Sequence, residues 1–358
     1  MRITFFICLF LLRISLEGQI PVYDYLKFEK SLIVPESINR ERTAVVVQVP
    51  DRTGSFREVG DWKQIAEKVH KAFVKMGIDA VFYLNHYALG SDISKKNHKE
   101  LFDSRRVEHI IFVTKSDAGF ELIICHYSRT SSFLSLEKPV FYLQKQELYE
   151  LLLQTGKEIR RADLSKENFL IPEKPNYIKG ISIVEKSLLK NYPGILRRSK
   201  LVVERFSKLS VPSDSDDEIN QKIDSYNKDI ENKNAMFVKL MEAYPYDYEF
   251  IDPMNDEDLL RRRHQFVLRS VSGPTDILRQ MLNFDTPDSE TDYVSTIPIM
   301  PDQTQAKPIP RDALVHKFYI RQNISKNIHA GVWDADVTWE DALGNMIGNL
   351  IQEHNADK

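Results

Sequence analysis

Three consecutive segments constrain the fold most. "TAVVVQVP" (43–50) is a β-branched run, "DWKQIAEKVHKAFVKMG" (61–77) carries its apolar residues at helical spacing, and "IDAVFYLN" (78–85) is again a β-type run. In the middle segment Ile65, Val69, Ala72, Phe73 and Met76 share one face, Asp61 can cap the start and Gly77 suits the end. "SDISKKNHKELFDSRR" then reads as a short polar helix. "VEHIIFVTKSD" and "GFELIICHYS" read as two strands turning at residues 117–119, "PVFYLQ" as one more strand, and "KQELYELLLQTGKEIRRAD" as an amphipathic helix. Two βα steps, a hairpin and a helix imply a mixed sheet with helices packed on it, an α/β (α+β) module.

"FLIPEKPNYIKG" interrupts the pattern. "SIVEKSLLKNYPGILRRSKLVVERFSKL" is predicted as helix, turn at Pro193-Gly194, helix, and "SVPSDSDDE" as a polar linker. The second half then echoes the first. A long helix (218–243) leads into "YDYEFID", "NDEDLLRRR" into "HQFVLRSVSG", and a strand pair around 323–327 into the closing helix "TWEDALGNMIGNLIQEH". The Pro-rich stretch between reads as a long loop with one edge strand. The order suggests two mixed-sheet modules with flanking helices and a weak internal duplication. The expected segments are a signal peptide (1–18), an extended arm (19–42), a first αβ domain (43–170), a helical connector (171–212) and a second αβ domain (213–358).

"MRITFFICLFLLRISLEGQ" has the plan of a secretory signal peptide: an early Arg, the apolar run Ile3 to Leu12, and a small residue, Gly18, before Gln19. That run is too short to span a bilayer, and no later stretch is long and apolar enough to do so. The expectation is a periplasmic chain with one cysteine, Cys125, behaving as a small buried apolar residue. Net charge is −3, with acids and bases interleaved, which argues against nucleic acid as a partner.

"GVWDADVTWEDAL" (331–343) looks most like chemistry. Asp334 and Asp336 form a D-x-D that can hold a divalent cation through oxygen. The same stretch also reads as a helix start: Thr338 at the N-cap, Asp341 three residues on, and acids in the first turn, with Asp334 and Asp336 solvated or forming a turn. The arginine clusters Arg160-Arg161, Arg197-Arg198 and Arg261-Arg262-Arg263 sit beside acids, as salt-bridged surface or as a patch that docks an acidic partner or headgroup. "QTGKEIRRAD" lacks the earlier glycine and the hydroxyl residue of a phosphate loop. Neither a G-x-S-x-G nor an H-E-x-x-H motif occurs, and no cofactor is expected.

"TAVVVQVP", "QIAEKVHKAFVKMGIDAVFYL" and "VEHIIFVTKSDAGFELIICHYS" together resemble a small αβ domain of bacterial envelope proteins. That domain occurs at the amino terminus of the TolB translocation protein, in the curli-secretion lipoprotein and in lipoprotein activators of penicillin-binding proteins. The resemblance implies a protein that works by binding. The whole chain, through "FLIPEKPNYIKGISIVEKSLLKNYPGILRRS" and "DALVHKFYIRQNISKNIHAGVWDAD", is similar to uncharacterised secreted proteins of Bacteroidota, some loosely labelled NTPases. The expected function is non-enzymatic: an accessory subunit that binds a protein partner in the cell envelope, in an outer-membrane assembly or secretion complex. The alternative is a metal-dependent hydrolase of phosphate esters or nucleotides using Asp334 and Asp336.

Overall fold

The computed structural model describes residues 29–49, 62–89, 92–116, 118–129, 133, 139–168, 175–177, 182–209, 217–287, 289–300 and 303–356. The expected signal peptide, most of the arm and the linker at 210–216 lie outside the described residues. The first module runs β1 (Lys30–Ser31), β2 (Arg42–Gln48), α1 (Trp62–Met76), β3 (Asp79–Asn85), α2 (Asp92–Ser104), β4 (Val107–Ser116), β5 (Gly119–His126), β6 (Val140–Lys145) and α3 (Leu148–Arg161). Its six strands lie in the order β1-β6-β5-β4-β2-β3.

The β2 run is continuous rather than alternating because both its faces are covered. Val45 and Val47 point to the side where α1 and α3 pack through Phe73 and Leu151. Ala44 and Val46 point to the opposite side, with Phe102 of α2 and Cys125. Burial pushes the Cys125 thiol far up, so it stays a protonated, inert core group.

The second module runs β7 (Leu188–Leu189), β8 (Leu201–Glu204), α4 (Asp217–Met241), β9 (Tyr248–Ile251), α5 (Asp256–Arg261), β10 (Phe266–Pro274), α6 (Thr275–Met281), β11 (Asp292–Met300), β12 (Gln303–Pro310), β13 (Leu314–Gln322), β14 (Asn327–His329) and α7 (Trp339–Ala356). Its sheet order is β7-β14-β13-β10-β8-β9. Strand for strand this repeats the first sheet, directions included. The central strand pairs parallel with two neighbours, then two antiparallel pairings follow, and a short parallel strand closes the edge. The fold class is thus α/β with two mixed-sheet modules. Helices α4 and α7 take the places of α1 and α3.

Two expectations need correction. The stretch 171–212 is not a helical connector: its described part holds β7, a 3-10 turn (Gly194–Arg197) and β8, all without an α-helix. "LVVE" is a short β-branched run in which Leu201, Val202 and Val203 are all buried beside β10, and tertiary pairing overrides the helical spacing around it. The Pro-rich stretch forms two strands rather than one. β11 and β12 pair antiparallel as a separate ribbon, and Pro298, Pro308 and Pro310 fit because each strand of a two-stranded ribbon has one free edge.

One device went unread in the sequence. Asn227 and Asn234, seven residues apart on α4, clip the extended segment 205–209. Each side-chain amide accepts from and donates to one backbone unit: Asn227 at Leu209 (2.8 and 2.9 Å) and Asn234 at Phe206 (2.9 and 3.1 Å). Phe206 is thereby held against Phe237 of α4 and Trp339 of α7, at ring-centroid distances of 5.3 and 5.4 Å.

Candidate functional site

The helix-start reading of "GVWDADVTWEDAL" holds. The Thr338 hydroxyl accepts from the Asp341 amide at 3.1 Å, and α7 begins at Trp339. The solvated reading of the two aspartates does not hold: Asp334 and Asp336 are 0% and 2% exposed. Lys317 of β13, itself fully buried, meets Asp334 Oδ1 at 2.6 Å and donates to the carbonyls of Ala330 and Phe318 at 2.5 and 3.0 Å. An ammonium has three protons, and all three are used. Asp334 Oδ2 accepts from Asn349 at 3.0 Å and from the Tyr192 hydroxyl at 3.4 Å. Asp336 accepts from Lys307 at 2.5 Å, from its neighbour's amide at 2.7 Å and from Asn345 at 3.2 Å.

Burial pushes the Asp334 carboxyl up, against the pull of Lys317, and pushes the Lys317 ammonium down. Gly331, at φ +62°, completes the arrangement, because a Cβ there would run into the Tyr192 hydroxyl. A divalent cation at Asp334 and Asp336 would have to displace these partners. A lysine ammonium holds Oδ1 of each aspartate and an asparagine amide holds Oδ2, and among the described residues no group of three or more His, Cys, Asp or Glu could hold a metal ion. The partners were hidden in the sequence because Lys317 lies on a strand 17 residues away, between residues that read as ordinary core.

The arginines stand on separate elements, α3, the 3-10 turn and α5. Arg261 is paired within its own helix to Asp258 at 3.1 Å and Glu257 at 3.5 Å. Arg262 and Arg263 are exposed where α5 ends, Arg263 in the left-handed conformation. Arg197 donates to the His354 carbonyl, and Arg198 is exposed on the turn that follows Arg197. The cationic residue that does organise the second module is Arg321, 1% exposed, which bonds Glu185 at 2.6 Å and Asp256 at 2.7 Å. Burial opposes ionisation of Asp256, yet Arg321, Arg269 and Lys326 together hold its carboxyl below the usual range.

An open site lies in the first module. The facing stripes of α1 and α3 line a groove of about 1130 Å³, larger than the roughly 300–1,000 Å³ of small-molecule pockets. From α1 come Ile65, Lys68, Lys71, Ala72, Lys75 and Met76, and from α3 Leu148, Tyr149, Leu152, Leu153, Gly156 and Arg160, each set at helical spacing. The floor is apolar, while Tyr149 and Leu153 are 75% and 42% exposed above it. Lys115 and Lys166 add to the rim, giving among the described residues six cations (68, 71, 75, 115, 160, 166) against two acids, Glu147 and Asp163. Lys68, Lys71 and Lys75 are exposed. The helix periods were legible in the sequence, but the groove was not, because it needs α1 and α3 on the same face of the sheet. Comparison with protein-family models, with curated proteins and with solved structures found no match to this chain.

Proposed function

We propose that the chain is a non-enzymatic binding protein of the cell envelope, an accessory subunit of an outer-membrane assembly or secretion complex, and that its partner docks in the groove between α1 and α3. One observation carries this reading. The groove combines an apolar floor, exposed Tyr149 and Leu153, and a cationic rim with few acids, which is the make-up of a helix-walled docking groove. The export pattern at the start of the chain supports the envelope location. The rival, a metal-dependent hydrolase, would require Asp334 and Asp336 to exchange the buried Lys317 and the partly exposed Lys307 for a metal ion, at the cost of leaving Lys317 buried without its counter-charge.

A photo-crosslinking residue at Tyr149, in cells, tests the docking site. The expected result is one dominant envelope adduct there and none from Met236, an exposed position on α4 in the second module. Equal adducts from both positions, or none from either, would count against the groove.

A further inference from the structure

The internal repeat shows what such a groove takes. In the second module the space between α4 and α7, the counterparts of α1 and α3, is filled by the chain itself: Phe206 sits against a ring from each helix. The filling segment is tied to the helix beneath it by one ion pair, Lys208 with Glu231 of α4 at 2.6 Å, and Lys233 of the same helix lies over the Phe206 ring at 5.5 Å. In the first module the helix beneath is basic, with Lys68, Lys71 and Lys75 along its exposed side.

We infer that the α1/α3 groove accepts an acidic peptide segment of the partner, anchored by an aromatic or large apolar side chain. This rests on the docking reading above and adds the chemistry of the occupant. A flat membrane fits less well, because the apolar residues line a recess between two helices rather than a raised face. A nucleic-acid strand fits less well too, because only two rings, Tyr149 and Phe120, are among the described lining residues, and the floor between the helices, Ile65, Ala72, Met76 and Leu152, is aliphatic.

The test uses the full chain and fluorescence anisotropy with four probes. These are a labelled ten-residue peptide of Asp, Glu and Ser around one Phe and one Leu, the same peptide with Lys for the acids, the acidic peptide with Phe replaced by Ser, and oligothymidylate. Vesicles of phosphatidylglycerol serve as competitor. The unchanged protein should prefer the acidic over the basic peptide by at least about tenfold, and raised salt should erode that preference. Loss of the Phe should weaken binding by at least about tenfold, the worth of one buried anchor. A triple variant, Lys68→Glu, Lys71→Glu and Lys75→Glu, should reverse the charge preference while its thermal midpoint stays in place.

A preference for the basic peptide, no binding by any peptide up to about 1 mM, a preference unaltered by the triple variant, or stronger binding of oligothymidylate or vesicles overturns the inference. Crosslinking separates the two levels. An envelope adduct at Tyr149 without acidic preference leaves the docking reading standing and removes the inference. An adduct from Tyr149 to residues 50–61 of the same chain makes the chain itself the occupant and removes both.

Discussion

The two modules repeat one topology, and their polar groups have been treated in opposite ways. In the second, charge is turned inward and closed: Lys317 and Asp334 pair beneath α7 with carbonyl, amide and hydroxyl groups completing both, Arg321 is bound by Glu185 and Asp256, and Phe206 packs between α4 and α7. In the first, charge faces outward around an open groove. A buried ion pair holds one geometry but adds little net stability, since both ions lose water. Exposed lysines around an apolar floor add little to the fold as well, and keep their capacity to meet something else. An acidic sequence cluster can therefore be structural while a plain helix face is the better candidate for function.

The sharpest way to break this comparison is to open the closed core. Lys317→Met keeps the volume and removes the charge, leaving Asp334 buried without its cation. The expected loss is about 3–5 kcal/mol in denaturant unfolding. Adding Asp334→Leu should restore most of it, because the pair as a whole is close to neutral. A single-variant loss under about 1 kcal/mol would mean that Asp334 takes up a proton at little cost, and that the pair is not what shapes this loop.

Acid should separate the modules next. Burial lowers His86 to about 3 and His98 to about 4, both in the first module. A depressed folded pKa contributes stability that is complete above the unfolded value near 6.5 and is lost as pH falls toward the folded one. Each histidine should then cost about 1.4 kcal/mol per pH unit below 6.5, or about 2–3 kcal/mol together at pH 5.5. Asp334, with a raised pKa, works in the opposite sense: its burial penalty is relieved as pH falls through its folded pKa. Hydrogen exchange at pH 5.5 should therefore show β3 and α2 opening before β13 and α7. The reverse order would place the acid-sensitive core in the second module.

Phe206→Ala tests whether the second groove is closed by this ring. Phe206 is half-buried, so the loss should be about 1–3 kcal/mol, below the 3–5 of a fully buried Phe. The vacated space should then admit a small aromatic ligand, detectable by shifts at Trp339, the residue it would touch.

These elements also mark how far the sequence could be read. β2, α1, β3, the β4–β5 hairpin and α3 were legible because each carries its own period and its own punctuation, Gly77 and Gly119 among them. β8 was not, although the echo between the halves required a strand before α4 just as β2 stands before α1. Topological repetition is a stronger constraint there than local helical spacing. At the carboxylate cluster Thr338 was legible, since a cap is a local matter. Lys317, Lys307 and Tyr192 were not, since they reach Asp334 and Asp336 from distant strands and loops. The groove stayed hidden for the same reason, because it belongs to two helices 72 positions apart, measured from Met76 to Leu148.

The smallest expected effect carries the comparison furthest. Lys71→Glu reverses a charge on an exposed helix position that lines the groove. Its cost to stability should stay within about 0.5 kcal/mol, because an exposed charge with water around it loses little when its sign changes. A residue that belongs to the fold shows itself in unfolding, as Lys317 should. One kept for a partner leaves unfolding unmoved and shows itself in binding. Should Lys71→Glu destabilise the chain by more than about 1 kcal/mol, the lysine rim would be holding the first module together. The contrast between an inward-closed and an outward-open module would then collapse into two versions of the same structural use of charge.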